Sequence, residues 1–267
     1  MPSYQGRAFA PTPRRRSSRL VRWLRVFAAL LVLAALAHLP WEEFRHRVAI
    51  VTNVRVEGTH YLDAEHAQER AGIHRGDDLL ALDLARARQK LLLDSRVAEA
   101  QVTRTLPRGV RIRIVERLPV LLVDHGEPWE LDRQGVLLAP LQAGVVADVP
   151  RLVGPSLARE RAGTHVGGPE VERGLSWAHS LAEPELQLAG QVSELDVSDP
   201  SVTTITLVTG TRVLGPAEPP SLRRLSALRV VLTDLSHKGT VANEVDMRFE
   251  DQVIVRPVAA ATEPHPG

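Results

Sequence analysis

The sequence predicts an α+β protein with one apolar N-terminal helix and two mixed domains after it. Three observations predict this. An uncharged Leu/Ala/Val-rich run, VFAALLVLAALAHLPW, lies between Arg25 and Glu42. Residues 52–114 then switch between period-2 and helical patterning in the order strand, helix, helix, strand, strand. From there to residue 257, short alternating strands outnumber helices, which is the pattern of a β-rich domain.

Residues 1–19 form an Arg/Pro/Ser-rich basic tail, too poor in apolar residues to build a core. Seven arginines and no acidic residue precede Glu42. The strictly apolar stretch Val26–Ala37 is short for a membrane span, which needs roughly 20 residues. Extending it to residues 20–41 supplies the length if Arg22 and Arg25 snorkel to the interface, with Trp23 and Trp41 as aromatic anchors. The arginine excess predicts a cytoplasmic N-terminus. A cleaved signal peptide is the alternative. It needs a small-x-small site, for which Ala35-x-Ala37 is the nearest candidate.

Thr52–Glu57 alternates and is stopped by Gly58, so it reads as a strand. Asp63 caps a short helix to Ala71, with Gly72 closing it. Asp83 caps a second helix to about Leu93, carrying Leu84, Ala87 and Leu91 on one face. Val97–Thr105 is a strand. Leu106-Pro-Arg-Gly109 places Pro second and Gly fourth, as in a type I turn. In Val110–Ile114, Val110, Ile112 and Ile114 point inward and Arg111 and Arg113 outward. The first domain is bounded at 48–117.

The second domain, 118–257, opens with a strand at Pro119–Val123. Glu127–Leu131 and Gly135–Leu138 flank the turn Asp132–Gly135. Residues 139–168 are loop-rich, with Pro140, Pro150, Pro155 and Gly167-Gly168. Val171, Leu175, Ala178 and Leu181 make Pro169–Ala182 an amphipathic helix. Gln191–Val197, Thr203–Val208 and Arg212–Leu214 are strands. Ser221 caps a helix whose face is Leu225, Leu228, Leu232 and Leu235. Glu244–Phe249 and Gln252–Arg256 form a closing strand pair. Residues 258–267 are an Ala/Pro-rich tail.

Formal net charge is +1, yet the first 41 residues carry +7, so the remainder is acidic by six. This argues against nucleic acid as partner of the main domains. The roughly 220 residues after the apolar run suffice for one large or two small domains. There is no cysteine, hence no thiol nucleophile or zinc–thiolate site. His60, His66 and His74 lie near Glu65 and Glu69 but form no HExxH pattern, and read as a solvated helix face. Ser176, His179 and Ser180 share one helix, where a triad is not built. Gly210–Gly215 lacks the Lys-Ser/Thr of a phosphate loop and reads as a hairpin turn. No cofactor or metal is expected, and weight shifts from an enzyme to a binding or scaffold protein.

The ordered segments NVRVEGTHYLDAEHAQERAGIHRGDDLLALD, DSRVAEAQVTRTLPRGVRIRIVERLPV, WELDRQGVLLAP and EVDMRFEDQVIVRP carry a family resemblance. Behind a basic tail and an apolar helix, they resemble the FtsQ/DivIB family of bacterial cell-division proteins over residues 20–257. The first domain is similar to that family's POTRA domain. Leu106 stands where an aromatic residue is common, and Phe249 where Tyr is common. The resemblance implies a non-enzymatic divisome scaffold needed for septum formation, linking early and late division proteins. It would be a single-pass inner-membrane protein at the septum, with its C-terminal domains outside. The implied partners are FtsB-like and FtsL-like single-span division proteins. Carried over by position, the partner-binding residues are Arg248, Phe249, Asp251, Gln252 and Arg256, with Arg223 and Arg224 on the preceding helix. A final strand is also a natural sheet edge, able to accept an added strand. The plainer reading is that Phe249, Val253 and Val255 face the core and Arg248 is solvated. A POTRA-bearing component of polypeptide export or outer-membrane assembly is the alternative function. Such proteins usually carry POTRA units in tandem before a β-barrel, which this pattern lacks.

Overall fold

The computed structural model describes residues 19–38, 49–142, 145–240, 242–250 and 252–257. The chain divides into two units, residues 1–49 and 50–267.

The first unit holds helix α1 (Arg19–Ala37). Its apolar side chains from Val21 through Leu33 are exposed, Trp23 among them. Among the described residues no helix is long and apolar enough to cross a membrane. Residues 39–41 of the span expected over 20–41 lie outside the described residues. The helix ends at Ala37, and Pro40 and Trp41 lie outside the described residues. Arg22 and Arg25 interrupt its first half, and the twelve residues Val26–Ala37 would extend only about 18 Å at 1.5 Å per residue.

The second unit begins with the β-α-α-β-β order the sequence predicts: β1 (Asn53–Glu57), α2 (Ala64–Ala71), α3 (Leu84–Leu92), β2 (Val97–Thr105) and β3 (Gly109–Glu116). The sheet order is β1-β3-β2, with β1 parallel and β2 antiparallel to β3. Both helix caps form as predicted. Asp63 accepts from the His66 amide and Asp83 from the Arg86 amide, while Gly72 adopts the left-handed conformation that ends α2. Val110, Ile112 and Ile114 are buried against Ala67, Ala71, Ala87 and Leu91. The turn after β2 spans residues 106–108, between the paired Thr105 and Gly109, and its Leu106–Pro107 peptide is cis.

Arg104, Glu116 and Arg117 serve this fold. Arg104 donates to the carbonyls of Leu79, Leu80 and Leu82. The Glu116 carboxylate accepts from the amides of His60, Tyr61 and Leu62. Arg117 reaches Asp132 at 2.7 Å, and Asp132 also accepts from the amides of Gln134 and Val136, shaping the turn closed by Gly135.

The β-rich part contains β4 (Pro119–Asp124), β5 (Pro128–Asp132), β6 (Leu137–Leu138), β7 (Arg151–Val153), α4 (Pro169–Leu181), β8 (Val192–Asp196), β9 (Val202–Leu207), β10 (Arg212–Pro216), α5 (Leu222–His237), β11 (Ala242–Asp246) and β12 (Ile254–Pro257). They form one sheet, ordered β12-β11-β10-β9-β8-β7-β4-β5-β6. β7 lies inside the region expected to be loop. Three residues are too few to show alternation, yet β7 runs parallel to both β4 and β8 and joins the two halves of the sheet. Helices α4 and α5 share the sheet's core through Val171, Trp177, Leu181, Leu225 and Leu228. Gly174 lets α4 approach: a Cβ there would fall 2.4 Å from Leu152 Cδ1. Buried Arg173, polar in sequence, donates to the carbonyls of Val197 and Asp199 and ties α4 to the turn after β8. Ser221 stands at the head of α5 but its side chain makes no capping bond, contrary to its predicted role.

Candidate partner-binding surface

The sheet has two ends, and they are finished differently. At the β6 end the segment Gly163–Val166 lies alongside. Leu137 N donates to Thr164 O, Gly163 N to Leu137 O, and Val136 bridges His165. At the other end β12 pairs only with β11, so its second row of backbone groups meets no strand among the described residues. Such an edge is a template for strand addition.

The predicted site residues cluster at this open end, but not where the strand pattern puts them. The closing pair is Ala242–Asp246 and Ile254–Pro257, shorter than expected. Arg248, Phe249 and Gln252 therefore lie in the connecting loop, and Arg256 alone is on the edge strand. Asp251 lies outside the described residues. Arg223 is exposed on the first turn of α5. Arg224, one residue on, turns inward and donates to the carbonyls of Met247 and Phe249, fastening the loop to the helix.

Arg248 and Arg256, both carried over as partner-binding positions, already have intramolecular carboxylates. Arg248 grips Asp246 with Nε and Nη2, at 2.9 and 2.6 Å. Asp246 is 2% exposed. The Arg248 hydrogen bond holds its carboxyl below the usual 3.8, against the opposing effect of burial, and raises Arg248 in turn. Arg256 pairs with Glu244 directly across the strands at 2.6 Å. Both pairs brace the edge more than they advertise charge. The sequence alone does not single out Asp246, although its spacing of two from Arg248 allows this local clasp.

The apolar side chains divide cleanly. Val253 and Val255 pack against the core, as the plainer reading has it. Phe249 and Ile254 are exposed, at 46% and 37%. The surface thus combines an open backbone edge, two apolar side chains and Arg223. The histidines behave as surface groups: His74 lies 3.9 Å from Asp77 and His179 the same distance from Glu183.

Comparison with known proteins points in one direction. Residues 50–117 match the FtsQ-type POTRA domain family. Over 193 residues the chain is 29% identical to cell division protein FtsQ of Geotalea daltonii, covering 70% of this chain and 68% of that one. Over 261 residues it is 27% identical to FtsQ of an Anaeromyxobacter species, covering 94% and 88%. Over 147 residues it is 33% identical to FtsQ of Streptomyces coelicolor, covering 53% and 54%.

Proposed function

We propose that this chain, with its FtsQ-type POTRA domain and FtsQ homologues in several bacteria, is a non-enzymatic scaffold of the division septum. Its homologues support a cell-division role. In the finer reading it binds an FtsB-like single-span protein, in complex with an FtsL-like one, by adding a partner strand to β12. The open β12 edge carries this reading. An added strand satisfies backbone groups that otherwise face only water, while Phe249 and Ile254 contribute apolar contact. The match is to the FtsQ-type POTRA family rather than to an export component, which favours division over outer-membrane assembly.

The chain also works at a membrane in this reading. The exposed apolar side chains of α1 would lodge in the inner-membrane bilayer, with the arginine-rich tail on the cytoplasmic side and the second unit outside. Arginine excess before Glu42 and exposure of Val21–Leu33 support this.

The test is co-purification of the FtsB-like partner with Phe249→Lys and with the edge-strand variant Ile254→Lys. Both sites are exposed, so the monomer should keep its thermal midpoint while the partner is lost. A fluorescent fusion of either variant should fail to restore septation in depleted, filamentous cells. Partner binding that survives both substitutions rules out the edge.

A further inference from the structure

The end of the POTRA unit at which the chain enters has a character of its own. Thr52 N donates to Arg108 O in the β2–β3 turn, Val51 N donates to Asp77 O, and Gly76 N donates to Val51 O. The entering strand is therefore clasped between the hairpin turn and the loop before α3. Two leucines stand out at this end. Leu106, in the turn, is 87% exposed, and Leu80 is 63% exposed. Arg104 links them, because it comes from the end of β2 and bonds the Leu79 and Leu80 carbonyls. β3 then runs eight residues away from this end before the chain passes into β4. At about 3.3 Å per residue that is roughly 26 Å, so the β-rich domain joins at the opposite end.

Beside the turn is a hollow of about 270 Å³ lined by Arg55, Arg108, Arg111, Asn53 and Thr105 among others. Arg111 is ion-paired with Glu57, its Nε 3.4 Å from Glu57 Oε1, shielded from solvent and outside hydrogen-bond geometry. Asp77 and Asp78 are the acids of the entry loop, and both are engaged by backbone amides, of His74 and of Leu80 and Ala81. Exposed leucines rimmed by arginines form the pattern that partitions into a headgroup layer, with apolar tips below the phosphates and guanidinium groups among them.

We propose that this entry end is a bilayer-contact surface that takes anionic phospholipid headgroups, Leu106 and Leu80 entering the interface and Arg55 and Arg111 meeting the phosphate. The inference rests on the reading that the chain works at a membrane. It goes beyond that reading in giving the POTRA unit its own lipid contact.

The absence of cysteine allows a single-site test in the full chain. Leu106→Cys and, as a control in the β-rich domain, exposed Val208→Cys carry a polarity-sensitive fluorophore. The protein is added to vesicles of phosphatidylcholine alone, or with phosphatidylglycerol as one quarter of the lipid. Flotation reports whether the chain associates with membrane at all. An aqueous quencher reports whether the labelled residue is covered. The expected result is flotation in both lipids, with quenching at residue 106 slowed about fivefold only in the anionic vesicles. Arg55→Glu should abolish that protection, and free glycerol phosphate should not reproduce it. A floating protein whose residue 106 is quenched as fast as residue 208 overturns the inference and leaves the membrane reading intact. Failure to float in either lipid overturns both. Protection without vesicles would indicate self-association and also overturn it.

Discussion

At the scale of single residues, backbone geometry makes the sharpest demands. Gly58 ends β1 at φ +86°, and a Cβ there would lie 2.1 Å from the Ile114 carbonyl oxygen. Gly76 is at φ +100° with open space around it. Gly76→Ala should therefore cost about 1 kcal/mol, from backbone strain alone. Gly58→Ala adds a collision with backbone that cannot rotate away and should cost about 2–4 kcal/mol. Denaturant titration of the two variants checks the difference; equal losses would mean that β1 can shift away from β3. Asp246 gives a pH-dependent counterpart. Its folded carboxyl titrates below 3.8 because of Arg248, so the native state is favoured by its ionised form. That contribution is complete above about pH 5 and is lost as pH falls through the lowered value. Asp246→Asn should then be less stable than the parent at neutral pH, and the gap should shrink as pH drops below 3.8. A gap that stays constant in acid would mean that the Arg248 clasp contributes nothing.

At the scale of elements, the chain's signals were readable where they were local. The caps at Asp63 and Asp83, the stop at Gly72 and the alternation of Val110–Ile114 each arise within a few residues, and each forms as read. β7 was not readable, because its three residues are fixed by β4 and β8 from distant parts of the chain. The closing strands are shorter than their alternation suggests for a related reason. The alternation through Arg248 and Phe249 is genuine, but Asp246 and Arg224 pull those residues into a loop. Likewise the candidate surface was legible as a region, whereas the prior engagement of Arg248 and Arg256 was not. A carboxylate across a strand pair is visible only once the register is known. The loop's dependence on α5 yields a prediction at this scale. Arg224→Ala removes both bonds to the Met247 and Phe249 carbonyls. It should weaken partner binding about tenfold, near 1.4 kcal/mol, and speed amide exchange at residues 248–250. The α5 leucines should remain protected, since Leu225 and Leu228 pack without it. Faster exchange with undiminished binding would show that the partner orders the loop itself.

At the scale of the whole molecule, what matters is how the POTRA unit is held to the β-rich domain, because the two together form one compact unit. Arg96, immediately before β2, lies 2.7 Å from Glu130 of β5, and both side chains are nearly inaccessible, at 4% and 3%. Arg96 also donates to the Ala139 carbonyl, and Glu130 accepts from the Ala147 amide. Arg117–Asp132 is a second tie at the same junction, with Asp132 buried. A buried ion pair adds little net stability over a packed apolar pair, but it fixes a geometry and punishes loss of either member. Glu130→Ala should therefore cost about 3–5 kcal/mol, because a buried guanidinium is left without its counter-charge, whereas Arg96→Met with Glu130→Met should recover most of it. Orientation should not recover with stability. Spin labels on Val115→Cys and Val208→Cys, both exposed and in different domains of a cysteine-free chain, would report the interdomain distance. That distribution should be narrow in the parent and broaden in the double methionine variant, since apolar contact is non-directional and the bonds to Ala139 and Ala147 are gone. A double variant as narrow as the parent would assign the junction's rigidity to packing and leave the ion pair no architectural role. A broadened one would identify Arg96–Glu130 as the pair that sets the angle between the POTRA sheet and the β12 edge. For a scaffold, that angle decides which partners can be held at once.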